Sequence, residues 1–340
     1  MRAPDFSATG LRPRVELMAP GKHQGSIEMS WSDNANPLGV YPIPALCIVG
    51  EAPGPSVLLM GGVHGDEYEG PLALMSLFRE LDPAEVAGRL ILLPQANAPA
   101  ARAGTRCSPL DGGNLNRAFP GDAKGGPTAQ IANMIAACLM PAVDAVIDLH
   151  SGGKASWFVP SALAARGQDG GLDGANMALA TAFGAPATWV LPYWPGNGSV
   201  NGAASALGLP CIAAELGGAG VVGREPLAHA EAGVLRCLVH LGVLEREAPL
   251  GETPRAVELG TPGFHVTAPV TGLYQPVAAA GEEIAEGALL GLLHFPEVPM
   301  APPMEITAGT GGFILAETRR AMVAPGDFLA FIATDIPEGA

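Results

Sequence analysis

Positive charge is scarce in this chain. Its 340 residues hold 18 Lys and Arg against 33 Asp and Glu, a net charge of −15, whereas nucleic-acid backbones and anionic membranes are held by clustered cations. Neither is an expected partner. Cysteine is sparse too: Cys47, Cys107, Cys138, Cys211 and Cys237 are odd in number and widely spaced, with no Cys-x-x-Cys. That argues against a disulfide framework and for free thiols in a reducing compartment. No apolar run suits a bilayer, because the best stretch, residues 131–149, is interrupted by Asn133, Pro141, Asp144 and Asp148. The first twenty residues hold Pro4, Pro13, Glu16 and Pro20 where a secretory signal would place its apolar core. A P-loop is missing as well, since no Gly-Lys-Ser/Thr follows the glycines of residues 61–70. These absences leave a cytoplasmic, acidic enzyme with a small-molecule substrate, and they leave a homo-oligomer open.

Apolar residues punctuated by glycine are what the chain has in quantity. At 48% apolar it can bury a sizeable core, and its length suits one large and one small domain. Three apolar runs end alike. Ser56–Met60 breaks at Gly61-Gly62 and leads to His64-Gly65-Asp66-Glu67, Val143–Leu149 ends at His150-Ser151-Gly152-Gly153, and Pro210–Ala214 ends at Glu215-Leu216-Gly217-Gly218. Each reads as a buried strand of an α/β sheet whose carboxyl end turns tightly, where such sheets build their sites. His64 and Glu67 are candidate metal ligands, with a solvated turn as the plainer reading. A catalytic zinc takes three protein ligands and leaves a fourth position to water, so the pair needs a second histidine, and His150 offers one. A carboxylate closing an apolar strand is costly to bury unless paired or used. Glu215 is therefore a candidate general base, with a buried salt bridge as the alternative.

Periodicity predicts helices near Pro71–Phe78, over Thr128–Met140, at Met177–Phe183 and over Leu227–Leu244, and strands at Arg89–Leu93 and Thr188–Leu191. Residues 1–37 are rich in turn formers and read as a surface extension, with one strand at Ser26–Trp31. Val40–Val49 reads as an edge strand because it holds Pro42 and Pro44. Residues 95–121 read as a long loop without regular structure; its Arg102, Arg106 and Arg117, with Asn97, Asn114 and Asn116, suit recognition of an anion. Charge and proline over residues 245–260 mark a boundary. The expected organisation is an N-terminal extension at 1–37, a catalytic α/β domain at 38–250 and a small all-β domain at 258–340. In the last, the glycine-punctuated stretches 272–291 and 312–329 resemble the two halves of a lipoyl or biotinyl carrier fold. No lysine lies between Gly260 and Ala340, so no carrier function is possible there.

Read together, His64-Gly65-Asp66-Glu67, residues 109–117 with Asn114-Leu115-Asn116-Arg117, Asp148-Leu149-His150-Ser151-Gly152 and Ala214-Glu215-Leu216-Gly217 resemble, in that order, the succinylglutamate desuccinylase/aspartoacylase family of zinc-dependent amidohydrolases. Within it the chain looks closest to the branch containing N-acetyl-diaminobutyrate deacetylases. The resemblance implies a mixed β-sheet flanked by helices, as in zinc carboxypeptidases, with a small C-terminal all-β domain. It implies one Zn²⁺ on His64, Glu67 and His150, Glu215 as general base and then acid, and Arg106 on the scissile carbonyl. It also implies Asn116 and Arg117 on a substrate carboxylate, and hence hydrolysis of an N-acyl amino acid. Many members have Asp where this chain has Asn114, which keeps the shape and drops a charge. Asp66 and Asp148 are candidate partners for the ligand histidines. Two rival readings are a zinc carboxypeptidase acting on small peptides and a catalytically inactive binding or scaffold protein of the same fold.

Overall fold

The computed structural model describes residues 1–34, 37–171 and 174–337. Its α/β portion contains strands Arg12–Pro13 (β1), Gly21–Trp31 (β2), Gly39–Val49 (β3), Ala52–Gly61 (β4), Ala87–Leu93 (β5), Ala145–His150 (β6), Ser156–Ala165 (β7), Ala187–Leu191 (β8) and Cys211–Gly218 (β9). Helices Glu69–Glu80 (α1), Ala98–Ala103 (α2), Pro127–Asn133 (α3), Gly174–Phe183 (α4), Val200–Ala206 (α5) and Arg224–His240 (α6) intervene. The central strands are buried on both faces, which is why they read as continuous apolar runs. Alternate residues serve opposite layers: Leu58 and Met60 pack with Ile131 and Ile135 on one face, while Val57 and Leu59 pack with Leu74, Phe183 and Val234 on the other. Strand β4 is parallel to β5 and β6, β6 is parallel to β9, and β7 returns antiparallel beside β9. The sheet is mixed, as expected.

Several local expectations change. The strand expected at Ser26–Trp31 begins at Gly21 and pairs with β3 along all eleven residues; Ile27 and Met29 are fully buried, so this part of residues 1–37 belongs to the core. Strand β3 is interior, lying between β2 and β5. Its prolines are tolerated because the ladder to β5 covers only Leu46–Val49, so Pro42 and Pro44 sit where β3 has one neighbour. The loop at residues 95–121 contains α2, whose start is fixed by Asn97 accepting from the Ala100 amide and by Pro99 in the first turn. Strand β7 has no counterpart in the periodicity, since Pro160 falls mid-run. The ladder to β9 shifts register between Phe158 and Ser161, and an irregularity there absorbs a residue with no N–H to give. The helix expected at Thr128–Met140 is α3 continued by a π turn over Met134–Leu139.

After residue 250 come Arg255–Glu258 (β10), His265–Thr267 (β11), Gly272–Pro276 (β12), Glu283–Ile284 (β13), Leu289–His294 (β14), Met304–Thr307 (β15), Gly312–Thr318 (β16), Met322–Val323 (β17) and Phe328–Asp335 (β18). This segment is all β, but it is not hung on a linker. Strand β10 pairs with β8, β18 with β10, β16 with β18, and β16 with Ser156–Phe158 of β7. With the β7–β8 ladder, these pairings close a circuit of five strands. Only β15-β14-β12-β17 form a separate small sheet. The closure carries residues of the C-terminal segment to the mouth of the α/β sheet.

Candidate metal centre and active site

Strands β4, β6 and β9 lie side by side, with Gly61 opposite Leu149 and His150 opposite Glu215. The three glycine-terminated junctions therefore meet at one end of the sheet. Gly62 leaves β4 at a φ of 64°, in the left-handed region that glycine enters without strain. Gly65 lies so close to α2 that a Cβ would stand 2.0 Å from the Ala100 carbonyl carbon, so no larger residue fits this turn.

The turn sets His64 and Glu67 against His150. Glu67 Oε1 lies 2.7 Å from His64 Nδ1, and Oε2 lies 2.9 Å from His150 Nδ1; the three side chains are buried and offer ligand atoms within 4.8 Å of one another. Both imidazoles are fixed from behind. His64 Nε2 is 3.1 Å from Asn114 Oδ1, which also accepts from the Asn116 amide, and His150 Nε2 is 2.8 Å from Asp148 Oδ2. Each Nε2 faces an acceptor that can hold its proton, so a cation bound beside Glu67 would find the Nδ1 atoms of both rings available as donors. Two imidazole nitrogens and a carboxylate within this distance could hold a cation, and nitrogen with oxygen donors suits zinc. The electrostatics agree. Burial disfavours charge on His150, yet the Asp148 and Glu67 carboxylates outweigh it and raise its pKa well above the usual value. Burial likewise opposes charge on Glu67, but His150 and His64 overcome it and hold the carboxyl at about 2.

Glu215, opposite His150 in the sheet, and Arg106 line one cavity of about 420 Å³. Burial, then the neighbouring Glu67 carboxylate, pushes the Glu215 carboxyl up to about 8, and its Oε2 is enclosed without a hydrogen-bond partner among the described residues. Arg106 reaches Glu67 Oε1 at 3.3 Å and keeps half its side chain exposed. Asn116 and Arg117 lie elsewhere: Asn116 Oδ1 accepts from the Val200 amide and Arg117 Nη1 donates to the Asn116 carbonyl. Arg117 faces a neighbouring cavity of about 340 Å³ with Trp189, Trp194 and Phe264, and Phe331 lines both cavities. Asp66 does not support a histidine; its Oδ2 accepts from the Lys154 amide. Asn114 holds His64 instead, a role that its place inside Asn-Leu-Asn-Arg did not signal. Nor did any pattern flag His265, Arg320 and Asp327, which the C-terminal segment adds to the cavity that Glu215 and Arg106 line.

The model of the succinylglutamate desuccinylase/aspartoacylase catalytic domain matches residues 53–241. A curated relative from Halomonas elongata, named N-alpha-acetyl-L-2,4-diaminobutyric acid deacetylase, is 35% identical over 94% of this chain and 93% of its own. Among solved structures, the product-bound ectoine utilization protein EutE (DoeB) from Ruegeria pomeroyi superposes with a TM-score of 0.92 at 34% identity, covering 96% of this chain and 99% of that one. A succinylglutamate desuccinylase/aspartoacylase from Rhodobacter sphaeroides gives a TM-score of 0.91 at 32% identity, covering 96% and 100%. The match over the catalytic region and the end-to-end likeness to these relatives make this chain a member of the succinylglutamate desuccinylase/aspartoacylase family.

Proposed function

We propose that the protein is a zinc-dependent hydrolase of N-acyl amino acids, with N-acetyl-2,4-diaminobutyrate as the substrate to which the name of the Halomonas elongata relative points. The observation that carries this reading is the buried cluster of His64, Glu67 and His150, whose ligand atoms lie within 4.8 Å of one another, beside the buried carboxylate of Glu215 on the neighbouring strand. His64, Glu67 and His150 would hold the ion. Bound there, zinc supplies Lewis acidity and brings the pKa of a water down to about 7.

The remaining steps belong to the chain's own groups. Glu215, held at about 8 in the metal-free site and lowered by a nearby cation, takes a proton from the attacking water and returns it to the departing amine, because an amide anion is too poor a leaving group. Arg106 directs its guanidinium at the oxygen on which negative charge develops, a contribution of about 3 kcal/mol in comparable sites. Arg117, across Phe331, is placed in this reading to hold the substrate carboxylate. The C-terminal β segment, a carrier-type fold lacking the carrier lysine, serves as a wall of the cavity. The working protein is cytoplasmic, with no nucleic-acid or membrane partner; among the described residues, no helix is long and apolar enough to cross a membrane.

The test is metal analysis and turnover on one preparation. Near one zinc per chain, with faster hydrolysis of N-acetyl amino acids than of dipeptides, is the expected result. Faster turnover of dipeptides would instead favour a carboxypeptidase, and a metal-loaded protein inert on every amide would favour a binding protein.

A further inference from the structure

The functional reading leaves one question of recognition. A 2,4-diaminobutyrate derivative carries a side-chain ammonium, and nothing assigned so far receives it. Three carboxylates line the catalytic cavity: Asp66, Glu215 and Asp327. Glu215 is committed to proton transfer. Asp66 is 7% exposed, with Oδ1 enclosed and Oδ2 accepting from the Lys154 amide. Asp327 differs on both counts. Its side chain keeps 26% exposure, and both of its hydrogen bonds, from the Ala324 amide at 2.8 Å and from Arg320 Nη1 at 3.0 Å, fall on Oδ2.

Asp327 is also well anchored. Ala324-Pro325-Gly326-Asp327 forms a turn in which the Asp327 amide donates to the Ala324 carbonyl and Gly326 has a φ of 84°, the pattern of a type II turn with proline and glycine at its centre. The Gly326 amide and the Asp327 carbonyl both bond to Ala268 just past β11, so the turn is tied to the β segment twice over. Beside it, the rings of Phe328 and Phe331 lie 4.8 Å apart, with His265 5.1 Å from Phe331. A fixed carboxylate flanked by aromatic faces is the chemistry that recognises an ammonium group, and a cavity of about 420 Å³ is sized to enclose one small molecule.

We propose that Asp327, walled by Phe328 and Phe331, is the specificity-determining residue that receives the cationic side chain of the substrate, with Arg320 as the residue that positions it. This rests on the deacylase reading above. The experiment compares metal-loaded wild type with Asp327→Asn on N-acetyl-2,4-diaminobutyrate and on N-acetylnorvaline, whose terminal methyl group replaces the ammonium at similar size. The wild type should prefer the cationic substrate, and Asp327→Asn should lower kcat/KM on it by ~10- to 100-fold, mainly through KM, with little change on N-acetylnorvaline. Equal losses on both substrates would mean a structural role and would overturn the inference, as would a substrate preference untouched by the substitution. A metal-loaded wild type that hydrolyses neither substrate is a different result: it removes the deacylase reading, and the inference goes with it.

Discussion

On one side of the proposed active site, His64, Glu67, His150 and Glu215 stand at or just past the ends of three adjacent strands, and the three candidate metal ligands are almost wholly buried. On the other side, His265, Arg320 and Asp327 come from turns and short strands of the C-terminal segment and remain partly open to the cavity. The first wall is rigid because its supports are layers of apolar side chains packed on both faces of the sheet. The second is held by hydrogen bonds in tight turns and by the strand circuit that docks it on β7 and β8. Chemistry that must not vary sits on the wall with little freedom. Recognition sits on the wall that can change residue by residue without disturbing the sheet.

Substitutions on the two walls should therefore differ in kind. Glu67→Ala removes the central carboxylate, so zinc content should fall from near one per chain toward zero and activity by at least ~10³-fold, as read by elemental analysis and turnover. Glu215→Gln should keep its zinc and lose ~10²- to 10⁴-fold in kcat; a variant that kept full activity would remove Glu215 from the mechanism. Asp148→Asn and Asn114→Ala act behind the ligands. Each should weaken zinc binding by ~10- to 100-fold, measured by competition with a chelator, while unfolding at saturating zinc stays near that of the wild type.

The smallest effect is a pH dependence. In the metal-free protein the Glu215 carboxyl is raised from 4.5 to about 8. A carboxyl whose folded pKa lies above its unfolded value binds its proton more tightly when folded. The stability it contributes is thus fully present below about pH 4.5 and is lost as pH rises through 8. His150, also raised, changes stability in the same direction, so the difference between proteins is the informative quantity. The Tm of chelator-treated wild type should fall between pH 5 and 8.5 more than that of Glu215→Gln. Parallel curves for the two would show that Glu215 ionises normally.

The convergence of His64, Glu67, His150 and Glu215 at one end of the sheet is legible in the sequence. A strand that stops on glycines announces its own end, and a histidine or carboxylate placed at that end has few structural uses. The same logic failed where the local signal was weak. Pro160 concealed β7, because the register irregularity that accommodates it depends on β9. Asn97 and Pro99 started a helix within residues 95–121, where glycine and charge suggested only a loop. Asp327 lies in a stretch whose carrier-like pattern, without a carrier lysine, gives no local sign of a binding residue.

The amino-acid order alone determined which residues could ligate and that β4, β6 and β9 are buried strands ending on glycines, since these depend on side-chain chemistry and on spacing within a few positions. The tertiary fold alone decided that His64 rests on Asn114, that Arg117 faces a second cavity beyond Phe331, and that residues more than a hundred positions past Glu215 share its cavity. Such contacts depend on strand order and on the closure of β7, β8, β10, β18 and β16, and no local pattern specifies which distant strands will pair.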